Sequence, residues 1–193
     1  MTNQFLKVML LLIGISAVNT HAANFELIGS LSSLNYEIIK FKTITVEGDL
    51  ADESKKTLTG NLVTNDLDNI SDLKGSITLS NPYFKSGSYQ RDIKLKEVIQ
   101  GPIKIEIKQV MTYTPFESDI ELSIKLSING ISGVETTNAQ LLKEKGFITA
   151  KGELQLNRKK YALVFKEGFF GQLDLAIEDT FLLTYDLKFK SDL

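Results

Sequence analysis

Apolar and polar residues alternate strictly along residues 120–128, where every second side chain is Ile or Leu. A β-strand points successive side chains to opposite faces, so this period of two predicts a strand with one apolar and one polar face. The same alternation recurs in residues 34–38, 103–108 and 181–189. Further strand-like runs occupy residues 43–47, 57–64, 75–80, 147–156 and 161–165.

Turn-forming residues separate these runs, and Asn129 with Gly130 is the strongest of the turn signals because it follows so regular a strand. Weaker turn signals stand at residues 48–49, 81–82 and 168–171. Together the runs and turns predict an all-β fold of about eight antiparallel strands. The pattern is equally typical of a barrel and of a sandwich, and does not separate them.

Two segments depart from the period of two. Residues 86–99 begin with a serine and continue with Leu95, Val98 and Ile99 at helical spacing, which predicts one short helix near residues 86–99. Residues 138–145 are rich in helix-forming residues, so we expect a second short helix there.

The first 22 residues have the pattern of a secretory signal peptide. Lys7 precedes an apolar stretch at residues 8–18, and Thr20, His21 and Ala22 form a small-x-small cleavage signal. The stretch is shorter than the ~20 residues of a membrane span, so we expect no stable membrane insertion. We therefore expect a signal peptide at residues 1–22, one domain at residues 23–193, and a periplasmic or secreted product.

Loss of the leader also changes the available chemistry, because His21 is the only histidine and the chain has no Cys and no Trp. A Ser-His-Asp or Cys-His nucleophile, a His-bearing zinc site and a CxxC redox pair all need absent residues. The mature chain carries a net charge of about −3, without the basic excess that nucleic-acid binding requires. We expect no enzyme activity, no metal, no cofactor and no nucleic-acid partner.

Two kinds of catalytic site need neither His nor Cys, and the sequence gives at most a weak signal for each. Residues 71–74 match the Ser-x-x-Lys pattern of penicillin-recognising acyltransferases, but neither Ser-Asp-Asn nor Lys-Thr-Gly accompanies it. A carboxylate-based glycoside hydrolase needs only Asp and Glu. No acidic pair stands out from the alternating polar positions, where Glu106, Glu121 and Asp186 are most simply the solvated faces of strands.

Several segments resemble the YceI-like family of secreted lipid-binding proteins, and the resemblance rests on their order along the chain. The matching segments are residues 88–96 for the family's Arg-Asp-x-His-Leu-Arg motif, 25–36 for its opening strand, 126–134 for a Leu-Thr-x-x-Gly-Val strand and turn, and 156–163 for a late Arg-x-x-Phe-Gly segment. The family's histidines are replaced here, for example by Lys94, so any function of those histidines is lost or altered.

The resemblance implies a lipocalin-like barrel whose apolar interior holds a long-chain isoprenoid or a similar lipid. It is also compatible with a homodimer. The lining candidates are the inward positions of the predicted strands, namely Tyr36, Ile38, Ile105, Ile107, Leu122, Ile124, Leu126, Leu183 and Tyr185. Inward apolar alternation looks the same in a barrel filled by its own side chains. The alternative is therefore a non-catalytic structural or adhesive envelope domain.

Arginine usage points to a structural motif. Lysine outnumbers arginine 20 to 2, yet both arginines, Arg91 and Arg158, fall in segments that resemble the family. Arginine's planar fork binds a carboxylate or backbone carbonyls in a way that a lysine does not. We expect Arg91 and Arg158 to fasten the helix and a strand onto the barrel, with Asp92 as one partner. Binding of a ligand head group is the alternative role.

Overall fold

The computed structural model describes residues 22–40, 42–114, 118–165 and 177–192. In this part of the chain, antiparallel strands form one sheet, accompanied by two short α-helices and three 3₁₀ turns. The strands are β1 (Ala23–Leu27), β2 (Ser33–Lys40), β3 (Ile44–Leu50), β4 (Leu58–Thr64), β5 (Lys74–Leu79), β6 (Phe84–Lys85), β7 (Ile103–Thr114), β8 (Asp119–Ile128), β9 (Ile131–Glu144), β10 (Phe147–Asn157) and β11 (Ile177–Ser191). The helices are α1 (Asp52–Lys55) and α2 (Tyr89–Val98), and the 3₁₀ turns are Gly29–Leu31, Ile70–Asp72 and Arg158–Tyr161.

The sheet closes on itself because β11 pairs with β10 along one edge and with two further strands along the other. Its first part pairs with β2 and its last residues pair with β1, so β1 and β2 share one position in the wall. In the same way, β4 and β3 share the next position, and β5 and β6 the one after it. Counted by position, the described residues form a closed eight-strand antiparallel barrel. The predicted all-β barrel is confirmed, and the sandwich alternative is excluded.

The two ends of the barrel are built differently. The helix end carries α2, the turn at Asn129 and Gly130, and the 3₁₀ turn Arg158–Tyr161. The opposite end, which we call the far rim, carries the loop of residues 65–73 between β4 and β5 and the turn at residues 145–146 between β9 and β10. Inward side chains between these ends form one continuous apolar core.

The predicted hairpin between β8 and β9 is confirmed. Ile128 pairs with Ile131, which leaves a two-residue loop. Both loop residues have positive φ, 53° at Asn129 and 78° at Gly130. Two residues of positive φ make the type I′ geometry that matches the twist of the flanking strands, and Asn-Gly is the pair that adopts it most readily.

The predicted helix near residues 86–99 is present as α2, and the hairpin holds its carboxyl-terminal end. The Asn129 side chain accepts a hydrogen bond from the Gln100 N–H at 3.0 Å and donates one to the Val98 carbonyl at 2.7 Å. The bond to Val98 satisfies a carbonyl that the end of a helix leaves unpaired, and the bond from Gln100 holds the chain that leaves the helix. The helix is thereby tied to the barrel wall through one side chain.

Three local predictions are wrong. Residues 48–49 form no turn, because both lie within β3 and pair with β2. Residues 138–145 form no helix, because residues up to Glu144 belong to β9 and pair with both β8 and β10, which overrides local helix propensity. Residues 161–165 form no strand, because Tyr161 ends a 3₁₀ turn and Ala162 follows with a left-handed φ of 52°. The predicted signal peptide, apart from Ala22, and the turn predicted at residues 168–171 lie outside the described residues.

Candidate functional site

An apolar cavity lies inside the barrel, between the helix end and the far rim. Its volume is about 70 Å³. The side chains around it come from most positions of the wall, and they are Leu34, Leu58, Leu62, Leu73, Ile77, Leu79, Ile103, Ile105, Ile107, Leu122, Ile124, Thr137, Ala139, Leu141, Ala150, Leu154, Leu183, Tyr185, Leu187 and Phe189. We call this space the lumen.

The structure brings part of the predicted lining set together around the lumen. The predicted residues that line it are Ile105, Ile107, Leu122, Ile124, Leu183 and Tyr185. Tyr36, Ile38 and Leu126 are also inward and buried, but they do not line the cavity. The alternation therefore identifies the inner face of the barrel, whereas position along the barrel axis decides which inner residues meet open space.

Tyr36 belongs to a packed aromatic cluster instead of the lumen. Its ring meets Phe84 edge-on at 5.4 Å and stacks on Phe181 at 5.7 Å between centroids. Burial raises the pKa of the Tyr36 phenol above its ordinary value. Strands β2, β6 and β11 supply these rings, so the cluster fills the barrel near its helix end.

Several lining residues were not among the predicted site residues. Leu62, Leu154, Leu187 and Phe189 occupy alternate inward positions of their strands, so the same period of two contains the signal for them. Leu73 is different, because it lies at the end of the loop of residues 65–73, where no periodicity exists. Only the packing of that loop against the barrel places Leu73 at the lumen.

Two polar residues on the lumen wall have their polar atoms satisfied by one another and by the backbone. The Thr137 hydroxyl donates to the Glu153 carbonyl at 2.8 Å and lies 3.1 Å from the Tyr185 hydroxyl. Burial raises the pKa of Tyr185, which stays a neutral phenol. Gly152 makes room for this ring, since a Cβ there would lie 2.5 Å from the Tyr185 oxygen. The wall is therefore apolar even where it contains hydroxyl groups.

Arg158 is almost completely buried, with 1% of its surface exposed. Within the described residues, its guanidinium donates to backbone carbonyls from Nε to Glu178 at 3.0 Å, from Nη1 to Leu163 at 3.3 Å and from Nη2 to Ile177 at 3.2 Å. The exposed carboxylate of Asp179 lies 3.6 Å from Nη2. This arrangement joins the 3₁₀ turn after β10 to the start of β11, the geometry expected of a structural arginine.

Arg91 and Asp92 have separate local roles at the start of α2. Arg91 is exposed and donates from Nη2 to the Ser86 carbonyl at 3.2 Å. Asp92, expected to pair with an arginine, instead accepts hydrogen bonds from the Ser86 N–H at 2.8 Å and the Ser86 hydroxyl at 2.6 Å. Asp92 therefore fixes the chain that enters the helix, and the carboxylate sits near the positive end of the helix dipole.

A larger space lies outside the barrel but has different chemistry. An open groove of about 950 Å³ crosses the outer face of β7 to β10, and its walls include Glu121, Asn138, Lys151 and Glu153. These polar side chains alternate with the inward apolar ones. An open polar surface offers little to an apolar chain, so the enclosed lumen is the stronger candidate for a binding site.

Three features of the described residues bear on metal binding and catalysis. Within them, no group of three or more His, Cys, Asp or Glu side chains is placed to hold a metal ion. Ser71 is an exposed residue of the 3₁₀ turn Ile70–Asp72, and its N–H donates to the Asn69 side chain. A hydrogen bond from the Thr64 hydroxyl holds the pKa of Asp72 below its ordinary value, whereas a general acid needs a raised pKa. Among the described helices, none is long and apolar enough to cross a bilayer.

Comparisons with known proteins agree with the architecture. No protein-family model and no curated protein sequence matches the chain. Burkholderia cenocepacia BcnA superposes with a TM-score of 0.65 at 12% identity, over 84% of this chain and 98% of that one. A polyisoprenoid binding domain from Saccharophagus degradans, implicated in plant cell wall breakdown, gives 0.60 at 14% identity, over 86% and 98% of the two chains.

A Campylobacter jejuni YCEI protein also superposes on the chain, with a TM-score of 0.53 at 14% identity, over 77% of this chain and 85% of that one. At such identities the similarity establishes the fold alone. In this chain, Arg91 lies in α2 and Arg158 begins the 3₁₀ turn after β10. The chain therefore has the YceI-like barrel fold, as its sequence resemblance predicts.

Proposed function

We propose that the chain is an exported, non-catalytic protein that binds a long-chain lipid, an isoprenoid or a similar hydrocarbon, in the lumen of its barrel. The observation that carries the proposal is the apolar wall of the lumen, in which even Thr137 and Tyr185 turn their hydroxyl groups to protein partners. The polyisoprenoid-binding neighbour of the same fold supports the same ligand class.

Chain length decides which lipids bind. Each buried methylene contributes about 0.8 kcal/mol, while association costs on the order of 4–15 kcal/mol. A chain of eight carbons therefore roughly breaks even, and a chain of about twenty carbons or more binds. Such binding is limited by length and shape, so many apolar chains of sufficient length compete for one lumen.

The volume of the lumen sets a condition on this proposal. About 70 Å³ is well below the roughly 300–1,000 Å³ of ordinary ligand pockets. A long chain therefore displaces protein side chains when it enters. The loop of residues 65–73 is the part best placed to move, because it inserts Ile70 and Leu73 into the far rim without belonging to a strand. Entry of a lipid into the lumen therefore moves this loop outward.

Chain-length selection and a filled lumen together test the proposal. We expect wild-type protein to bind a fluorescent C20 hydrocarbon probe and a matched C8 probe to bind too weakly to measure. Ala150 faces the lumen, so Ala150→Leu adds three carbons to a space of about 70 Å³ and abolishes C20 binding. Ser123→Leu on the outer face of β8 is the matched control and leaves binding unchanged. Equal binding by both variants contradicts the proposal.

A structural or adhesive envelope domain is the second candidate, and the small lumen is the observation that favours it. A barrel filled by its own side chains needs no ligand to reach its packing density. This candidate predicts that the wild type binds neither probe. It also predicts that Ala150→Leu lowers stability through overpacking, by about 1–3 kcal/mol, without any change in ligand content.

A further inference from the structure

We propose that the bound lipid ends in a singly charged oxygen acid, such as a carboxylate, and that Lys143 binds this group at the far rim. The inference rests on the proposed function, because it names the polar end of the ligand whose apolar chain lies in the lumen. It assigns a role to an exposed lysine whose position in the strand register is on the inner face of the wall, at one end of the barrel.

The register of the sheet places Lys143 on the inner face. Lys143 pairs with Ile148 of β10, and Ile148 pairs with Phe189 of β11. Directly paired residues project from the same face of a sheet, and both of these partners are buried in the core. Leu141, two residues earlier on β9, lines the lumen. The Lys143 side chain is therefore the next inward group beyond the lumen, at its mouth.

The contacts of Lys143 leave its charge available. Its ammonium donates to the Leu67 carbonyl and to the Tyr113 hydroxyl at 3.4 Å, and it lies 5.8 Å from the centroid of the Tyr113 ring. Tyr113 also faces inward, since it pairs with the buried Ile120. Among the described residues, Lys143 makes no ion pair with a carboxylate. Its partners are neutral, so a ligand oxyanion gains a charge-assisted bond by replacing one of them.

The same geometry couples head-group binding to loading. The bond from Lys143 to Leu67 fastens the loop of residues 65–73 over the far rim, where Ile70 and Leu73 are inserted. A ligand oxygen that takes over the Lys143 ammonium releases the Leu67 carbonyl. That carbonyl is on an exposed loop, so water replaces the lost bond at little cost.

The charges of the loop limit the head group to one negative charge. Asp66, Asp68 and Asp72 lie on the loop that Lys143 contacts. Asp72 accepts from the Thr64 hydroxyl at 2.7 Å, and Asp66 accepts from the Asp68 N–H at 2.8 Å, so these two carboxylates are held in place on the loop. One ammonium balances a carboxylate at this site. A phosphate monoester, with close to two charges, meets net repulsion.

Competition between lipids of one chain length tests the inference. The probes are a C20 carboxylic acid, the C20 alcohol and the C20 phosphate monoester, each displacing a fluorescent hydrocarbon from purified protein at neutral pH. We expect the wild type to bind the acid about tenfold more tightly than the alcohol, since a charge-assisted hydrogen bond exceeds a neutral one by that order. We expect the phosphate to bind more weakly than the acid.

Variants at two lysines separate the possible results. Lys143→Gln loses the preference for the acid, whereas Lys143→Arg keeps it because the charge is retained. Lys145→Gln, in the exposed turn after β9, removes the same charge two residues away and keeps the preference. Equal acid-to-alcohol ratios in Lys143→Gln and wild type, or tighter binding of the phosphate than of the acid, overturn the inference alone. Failure of the wild type to bind any C20 probe overturns the proposed function.

Discussion

Replacement of Arg158 by lysine tests whether the planar guanidinium, and not its charge, holds β11 to the barrel. Arg158 is 1% exposed and donates to the carbonyls of Leu163, Ile177 and Glu178. A lysine ammonium keeps the charge, but a single nitrogen does not reach three acceptors spread over two segments. We expect about one of these bonds to survive.

The expected loss follows from the bonds removed. Hydrogen bonds to a charged group contribute about 1.5–3 kcal/mol each, so loss of two, partly relieved by relaxation, lowers the free energy of unfolding by about 3 kcal/mol. In a domain of this size, 1 kcal/mol corresponds to about 2–4 °C in Tm. We therefore expect Arg158→Lys to melt about 6–12 °C below the wild type, as measured by circular dichroism and by urea denaturation with tyrosine fluorescence.

Arg91→Lys is the matched control for this change. Arg91 is exposed and, in the part of the chain that the structure describes, donates one hydrogen bond, to the Ser86 carbonyl. Its replacement therefore changes stability by no more than about 0.5 kcal/mol. If Arg158→Lys is as stable as Arg91→Lys, the reasoning is refuted, because the buried fork then contributes nothing that a point charge does not.

Asn129→Ala removes both bonds at the end of α2. It also places alanine, which adopts a left-handed backbone less readily than asparagine, at a φ of 53°. We expect urea denaturation to show a free energy of unfolding lower by about 2 kcal/mol. Asn129→Gly loses the same bonds without the backbone strain, so we expect its stability to lie between those of the wild type and Asn129→Ala. Burial raises the pKa of the Tyr36, Tyr161 and Tyr185 phenols above 10.0, with Glu135 adding to the effect at Tyr161. The folded state then holds more protons than the unfolded state above pH 10, so stability falls as pH rises through that range. Tyr161→Phe makes this fall smaller, and an unchanged pH profile contradicts it.

Strand positions were predictable because one physical signal, alternate burial, repeats over many residues. The pattern at residues 120–128 corresponds to β8, and the Asn129 and Gly130 turn appears with the expected backbone geometry. Residues 138–145 were predicted as a helix because they are rich in helix-forming residue types, although their apolar positions also alternate. Ala139 and Leu141 face inward at a period of two, and pairing on both sides makes the segment a strand.

The candidate site was only partly predictable because alternation reports the inner face and not the position along the barrel axis. Tyr36 and Leu183 have the same pattern in the sequence, yet Tyr36 packs against Phe84 whereas Leu183 meets the lumen. Leu73 lies on a loop, so its place at the lumen depends on tertiary packing alone. The structural role of Arg158 was predictable from another signal, the rarity of arginine in a lysine-rich chain.

Extraction of protein purified without detergent tests the central claim most directly. The mature protein is isolated from the exported fraction, extracted with organic solvent and analysed by mass spectrometry against the Ala150→Leu variant. The account predicts a hydrocarbon of about twenty carbons or more, close to one molecule per chain in the wild type and absent from the variant. A wild-type extract without lipid, from folded protein with a filled barrel, contradicts the account and leaves the structural envelope domain.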